Sequence, residues 1–197
     1  MKNITNFIIG TGIIGLILSA SLVIADDDDD KYEKKKRGDS IYSQFFSKKL
    51  DVAPVKNGLY KEECGSCHFA YQPGLLPSRS WKKMMGDLEN HFDENAELDT
   101  ETQTALTKYL VENSADDANY KRSIKIMNSL RNNSTPLRIT EVPYFIRKHD
   151  EIPRRLVQDN PELGSFSKCA ACHVNAEKGS YEDDDVRIPG YGKWDDD

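Results

Sequence analysis

Residues 63–68 read ECGSCH and residues 168–173 read KCAACH. Together they hold all four cysteines of the chain, each pair spaced Cys-x-x-Cys and followed at once by histidine: Cys64, Cys67 and His68, then Cys169, Cys172 and His173. Four cysteines outside a reducing compartment can form two disulfides. Two such pairs can also cage a zinc ion, and a single pair can act as a thioredoxin-like redox couple. Each of these readings explains the cysteines and leaves His68 and His173 to chance. Only four of the 197 residues are histidine, so two accidental matches have a probability of about one in two thousand. Zinc ribbons place the second pair within about 15–20 residues of the first, whereas Cys67 and Cys169 lie far apart in the chain.

Covalent haem attachment explains the histidines as well. Two thiols add across the two vinyl groups of a haem c, and the next residue ligates the iron from the proximal side. The pattern predicts two covalent haems, held by Cys64 and Cys67 and by Cys169 and Cys172, with His68 and His173 as proximal metal ligands. The two histidines left over are His91 and His149. His91 follows Met84 by seven residues and Leu88 by three; His149 follows Val142, Phe145 and Ile146 by seven, four and three. Each is then the polar member of an apolar helical stripe, the setting of a distal ligand facing a haem. Four histidines fill the four axial positions of two irons. Met84, Met85 and Met127 are rival distal ligands that would raise the potentials, although core packing is the commoner role of methionine. Proximity in sequence pairs His68 with His91 and His173 with His149; a crossed pairing satisfies the same count.

The first 25 residues stand apart. After Lys2, residues 7–25 (FIIGTGIIGLILSASLVIA) are almost uninterruptedly apolar and give way to five aspartates at 26–30. This reads as a secretory signal peptide, with an uncleaved membrane anchor as the alternative because the run nearly spans a bilayer. Either way the remainder lies outside the cytoplasm. Removing residues 1–25 takes away one lysine and no acid, so the formal charge moves one unit below −6. So acidic a protein is a poor nucleic-acid binder. The one basic block, Lys34 to Arg37, sits beside the aspartates in a charged leader spanning 26–40 that reads as disordered.

Structure is expected from about residues 41–46, with a first haem-binding region over 41–115 and a second over 116–197. A helix beginning near Ser80 carries Trp81, Met84, Met85, Leu88 and Phe92 at helical spacing. Thr100 and Gln103 fit a capping box opening a second helix, with Ala105, Leu106, Tyr109 and Leu110 on its apolar face. Asp116 and Asp117 can start a third, striped by Tyr120, Ile124, Met127 and Leu130. Thr140 can cap a fourth, with Pro143 in its first turn. Beyond His173 the chain is rich in Gly, Asp and Pro and reads as irregular. The expected fold is mainly α: a small c-type cytochrome of short helices and irregular loops packed around two covalently bound haems. Phe69, Tyr71, Trp81, Phe92, Phe145 and Phe166 are candidates to pack the haem edges.

Five stretches carry a family likeness: ECGSCHFAYQPGLLPSRSW, NHFDENAELD, ITEVPYFIRKHDEIP, SFSKCAACHVNAEKGSY and RIPG. Over about residues 60–191 the chain resembles the dihaem cytochrome c (DHC) family. The resemblance implies a periplasmic electron carrier with two bis-histidine haems. It also implies a membrane b-type cytochrome as donor and a small soluble oxygen-binding haem protein as acceptor. By position, Cys64, Cys67, Cys169 and Cys172 attach the haems, and His68, His91, His149 and His173 stand at axial positions.

An iron with both axial sites filled by protein has no place for a substrate, which points to single-electron transfer at low potential rather than catalysis. The alternative is a dihaem redox enzyme, a peroxidase or a reductase of small oxyanions. That class needs an open or displaceable iron site with acid–base groups above it. No fifth histidine is present to serve as the distal acid.

Overall fold

The first Cys-x-x-Cys-His motif hangs from a helix of six residues. In the computed structural model, which describes residues 50–194, α1 spans Gly58–Glu63, and the Asn57 side chain accepts the Tyr60 N–H at its start. The motif then turns tightly off the helix end. Gly65 donates its N–H to Lys61 O, and a Cβ on residue 65 would run into that same carbonyl, so the turn needs glycine there.

Helix α2 covers Ser78–Met85 and buries Ser80, Trp81 and Met85. A single helix running on to Phe92 is not what forms. α2 stops at Gly86, a 3₁₀ turn follows over Leu88–Asn90, and Phe92 and Asp93 take φ of 57° and 75°. Left-handed backbone at two successive non-glycine residues cannot belong to a right-handed helix. The chain doubles back because Leu88 is buried and its carbonyl accepts the Ala96 N–H at 2.9 Å. His91 therefore sits in a loop, held by an isolated bridge to Glu94, and not on a helix face.

Helix α3, Thr100–Glu112, packs on α2 and buries Leu106 and Leu110, while Ala105 is exposed. Its cap is one residue earlier than expected: the Asp99 carboxylate accepts the N–H groups of Glu101 and Thr102, both at 3.0 Å. Helix α4, Lys121–Ser129, buries Ser123 and Ile126 and leaves Ile124 exposed, so its inward face is rotated from the apolar stripe. Ser123 explains this, because its hydroxyl donates to Gly74 O at 2.7 Å and seats the helix against the 3₁₀ turn Pro73–Leu75. Helix α5, Pro143–His149, begins with Pro143 in its first turn and Val142, not Thr140, at the cap.

Two single-turn helices follow, α6 over Arg154–Val157 and α7 over Cys169–Cys172. The segment expected to be irregular also holds one short antiparallel pair, β1 (Arg187–Ile188) and β2 (Gly192–Lys193). The architecture is mainly α. The main core joins both expected haem-binding regions, from Val52, Trp81 and Leu106 to Tyr144 and Tyr181; a smaller cluster gathers Val157, Leu163, Val186 and Ile188. Gly179 ties the ends together. At φ 79° its carbonyl accepts the N–H groups of Asp51 and Val52, and a Cβ would strike the Val52 carbonyl. No helix among the described residues is long and apolar enough to cross a membrane. The expectations for residues 1–49, including the apolar leader, and for 195–197 lie outside the described residues.

Candidate functional site

The structure gathers the four histidines into two pairs. His68 and His91 have ring centres 6.2 Å apart with planes 15° from parallel; His149 and His173 are also 6.2 Å apart, with planes 77° apart. An imidazole nitrogen bonds a metal at about 2 Å and lies about 1.1 Å from its own ring centre, so two rings across one metal have centres about 6 Å apart. Both pairs have that separation. The arrangement follows sequence proximity, and no crossed pair stands at comparable range among the ring contacts of the described residues.

Backbone carbonyls fix one ring in each pair. The Nδ1 of His68 lies 2.8 Å from Phe69 O, and that of His149 lies 2.8 Å from Phe145 O. A carbonyl only accepts, so each Nδ1 carries the proton and Nε2 is left as the nitrogen with a lone pair, the metal-binding form. In contrast, the Nδ1 atoms of His91 and His173 are buried without a partner. Burial lowers the pKa of His91, with His68 next in effect, and lowers that of His149. His173 falls to about 4, through burial first and then the neighbouring His149 and Arg122. These rings are therefore neutral at physiological pH, as coordination requires.

Aromatic side chains surround the pairs. Tyr71 lies 5.2 Å from His68, Phe92 lies 4.8 Å from His91, and Phe145 stacks on His149 at 3.9 Å. Phe166 meets His149 edge-on and Tyr181 meets His173 at 5.1 Å. Trp81 is buried in the main core, where its Nε1–H donates to Pro73 O at 2.8 Å. The second pair faces a cleft of about 1040 Å³, part of it open to solvent, that Cys169 and Cys172 also line. Its walls are largely apolar, with Ile126, Val142 and Ile188 among them.

The cysteines suit attachment better than the competing roles. All four are free thiols. Burial, with Glu63 as the lesser cause, pushes Cys64 up to about 11; burial does the same for Cys169 and raises Cys172. A redox-active Cys-x-x-Cys pair needs a lowered thiol pKa. Among the described residues, no group of three or more His, Cys, Asp or Glu is placed to hold a bare metal ion, so a zinc cage has no ligand set. Paired imidazoles at the iron-spanning distance, unbridged thiols in each motif and an apolar cleft at the second pair together fit c-type haem.

A set of long-range hydrogen bonds, buried around Gln72 and Tyr181 and exposed at Ser167, joins the sites and left no mark in the sequence. Tyr71, beside His68, donates its hydroxyl to Ser167 O at 2.7 Å, two residues before Cys169. Gln72, fully buried, donates to Ala176 O at 2.5 Å and accepts from the Tyr181 hydroxyl at 2.6 Å. Behind Tyr181, Arg122 pairs with Asp51 at 3.3 Å. These partners are separated by up to 130 residues in sequence, and no local periodicity could reveal them.

A mainly α chain with two Cys-x-x-Cys-His motifs, each facing a second histidine, defines the class of dihaem c-type cytochromes. Residues 60–181 match the dihaem cytochrome c family, and the chain belongs to it. Members of this family carry two covalently bound c-type haems with iron. The chain is similar to a solved diheme cytochrome type c from Shewanella baltica, with 46% identity and a TM-score of 0.59. That match covers 72% of this chain and 99% of the other. A diheme cytochrome c from Rhodobacter sphaeroides matches at 42% identity and a TM-score of 0.58, over 66% of this chain and all of that one. A second structure from the same organism matches at 41% identity and a TM-score of 0.53, covering 65% and 99%. No curated protein matches.

Proposed function

We propose that this protein is an exported, periplasmic carrier of single electrons whose two haem irons are each closed by two imidazoles. Cys64 and Cys67 attach the first haem, with His68 and His91 as its axial ligands. Cys169 and Cys172 attach the second, with His173 and His149. The observation that carries this reading is the 6.2 Å separation of both histidine pairs. When bound, each haem supplies a one-electron ferric–ferrous couple.

The chain's own part is positioning. The Phe69 and Phe145 carbonyls hold the Nδ1–H of His68 and His149 and so aim Nε2; burial keeps the His149 and His173 rings neutral; the aromatic and aliphatic walls limit water. Such hydrogen bonds raise ligand basicity, and bis-imidazole ligation favours ferric iron more than a Met/His pair does, so low potentials follow. Filled axial sites leave no room for peroxide or an oxyanion, which supports a carrier over an enzyme. The family likeness supports a membrane b-type cytochrome as donor and a small soluble haem protein as acceptor, and the apolar leader supports export.

The test is ligand binding to the reduced holoprotein. Carbon monoxide should leave both visible spectra unchanged over minutes. Rapid, stoichiometric binding at one iron would replace this reading with the enzyme one.

A further inference from the structure

Arg122 is a largely buried cation whose Nε–H has no acceptor among the described residues. It sits on α4, 51 residues before His173, and its side chain is 17% exposed. Its Nη2 reaches Asp51 Oδ1 at 3.3 Å and donates to Tyr181 O at 2.9 Å; its Nη1 donates to the Tyr144 hydroxyl at 3.1 Å. The rings of Tyr144 and Tyr181 flank the guanidinium at 5.8 and 5.6 Å. The Nε–H is buried and has no acceptor. Guanidinium cannot shed a proton to escape that state, and an unmet buried donor is unfavourable, the more so when charged. A site so heavily braced and yet one acceptor short is built for something the protein does not supply.

Position says what that is. Arg122 lines the same cleft as His149, His173, Cys169 and Cys172. The charged side chains lining it are Arg122, Lys148, Lys168 and a single acid, Asp183, so the wall favours an anion. Guanidinium is the side chain best matched to carboxylate. A haem c carries two propionate carboxylates, anions of the kind that this wall favours.

We infer that Arg122 anchors a propionate of the second haem through its Nε–H, with Asp51, Tyr144 and Tyr181 as residues that position the guanidinium. This rests on the assignment of His149 and His173 as that haem's ligands. The bond also bears on electron transfer. A buried positive charge beside the porphyrin stabilises the reduced state, so Arg122 raises the potential of the second haem relative to the same site without it.

The experiment uses the reduced holoprotein, in which two low-spin ferrous irons are diamagnetic and give sharp proton spectra. With ¹⁵N-arginine labelling, the Arg122 Nε–H should exchange slowly and show cross-relaxation to propionate methylene protons of the second haem. Contacts from the His149 and His173 rings to that haem, read in the same spectrum, test the underlying assignment separately. If those contacts are present but the Nε–H exchanges rapidly and sees no propionate, the inference is overturned while the ligand assignment stands. If they are absent, the assignment itself fails and the inference with it. Arg122→Gln in an Asp51→Asn background, where no carboxylate is stranded, should move the second midpoint negative relative to Asp51→Asn alone and leave the first in place. Equal movement of both, or of neither, contradicts it.

Discussion

Tyr181→Phe removes one oxygen atom from the middle of the protein and leaves every ring contact in place. The hydroxyl donates to Gln72 Oε1 at 2.6 Å, and Gln72 is 0% exposed, so no water can replace it. Burial raises the phenol pKa well above its ordinary value, which keeps Tyr181 a neutral donor. Because the ring remains, the change in buried apolar area is negligible and the cost is that of an unmet buried acceptor, about 1–3 kcal/mol. Tyr181→Phe with Gln72→Leu removes both polar partners. The Ala176 carbonyl, which Gln72 also bonds, still accepts the Gly179 N–H at 2.8 Å. The double variant should therefore be more stable than the sum of the two single losses implies, with a coupling of about 0.5–3 kcal/mol. Urea unfolding of the oxidised holoprotein, followed by far-ultraviolet dichroism, measures each midpoint. A Tyr181→Phe loss below about 0.5 kcal/mol, the usual scatter of surface changes, would refute the reasoning.

His149→Ala should leave both haems covalently attached, convert one iron to a form that binds carbon monoxide, and leave the other low-spin; absorbance titration of the reduced variant reports the stoichiometry. The cap of α3 should carry a pH signature. Hydrogen bonds from Thr102 chiefly, and from Glu101, lower the Asp99 pKa in the folded state. Its contribution is therefore complete above the ordinary carboxylate pKa and drains away as pH falls through the depressed folded value. Asp99→Asn keeps a cap without that titration, so urea midpoints of variant and wild type should differ more at neutral than at acid pH.

How much could be read from the chain alone differs from element to element. The thiol and histidine motifs were legible because vinyl spacing and the proximal ligand dictate contiguous residues. Helix α3 was legible because thirteen residues of regular sequence follow a capping signal. The loop holding His91 was not. Its apolar spacing continues that of α2, yet Gly86 and the burial of Leu88 turn the chain back, and periodicity cannot register a left-handed Phe92. His91 still stands 6.2 Å from His68, from a loop and not from the helix that its spacing suggested. On α4, Ile124 was expected on the apolar stripe that faces the core; the bond from Ser123 to Gly74 O turns Ser123 inward instead and leaves Ile124 exposed. Arg122, Asp51, Gln72 and Tyr181 were invisible for a simpler reason. Each is an ordinary residue type whose meaning lies in a partner many tens of residues distant.

Low-temperature paramagnetic resonance of the fully oxidised holoprotein is the most direct test of two bis-imidazole irons. Near-parallel ligand planes split the iron d-orbitals strongly, whereas near-perpendicular planes leave them almost degenerate and the signal highly anisotropic. The 15° and 77° angles therefore predict two low-spin ferric species in equal amounts, one rhombic and one with a single large g value. A high-spin signal, or spin for only one iron per chain, would contradict the account.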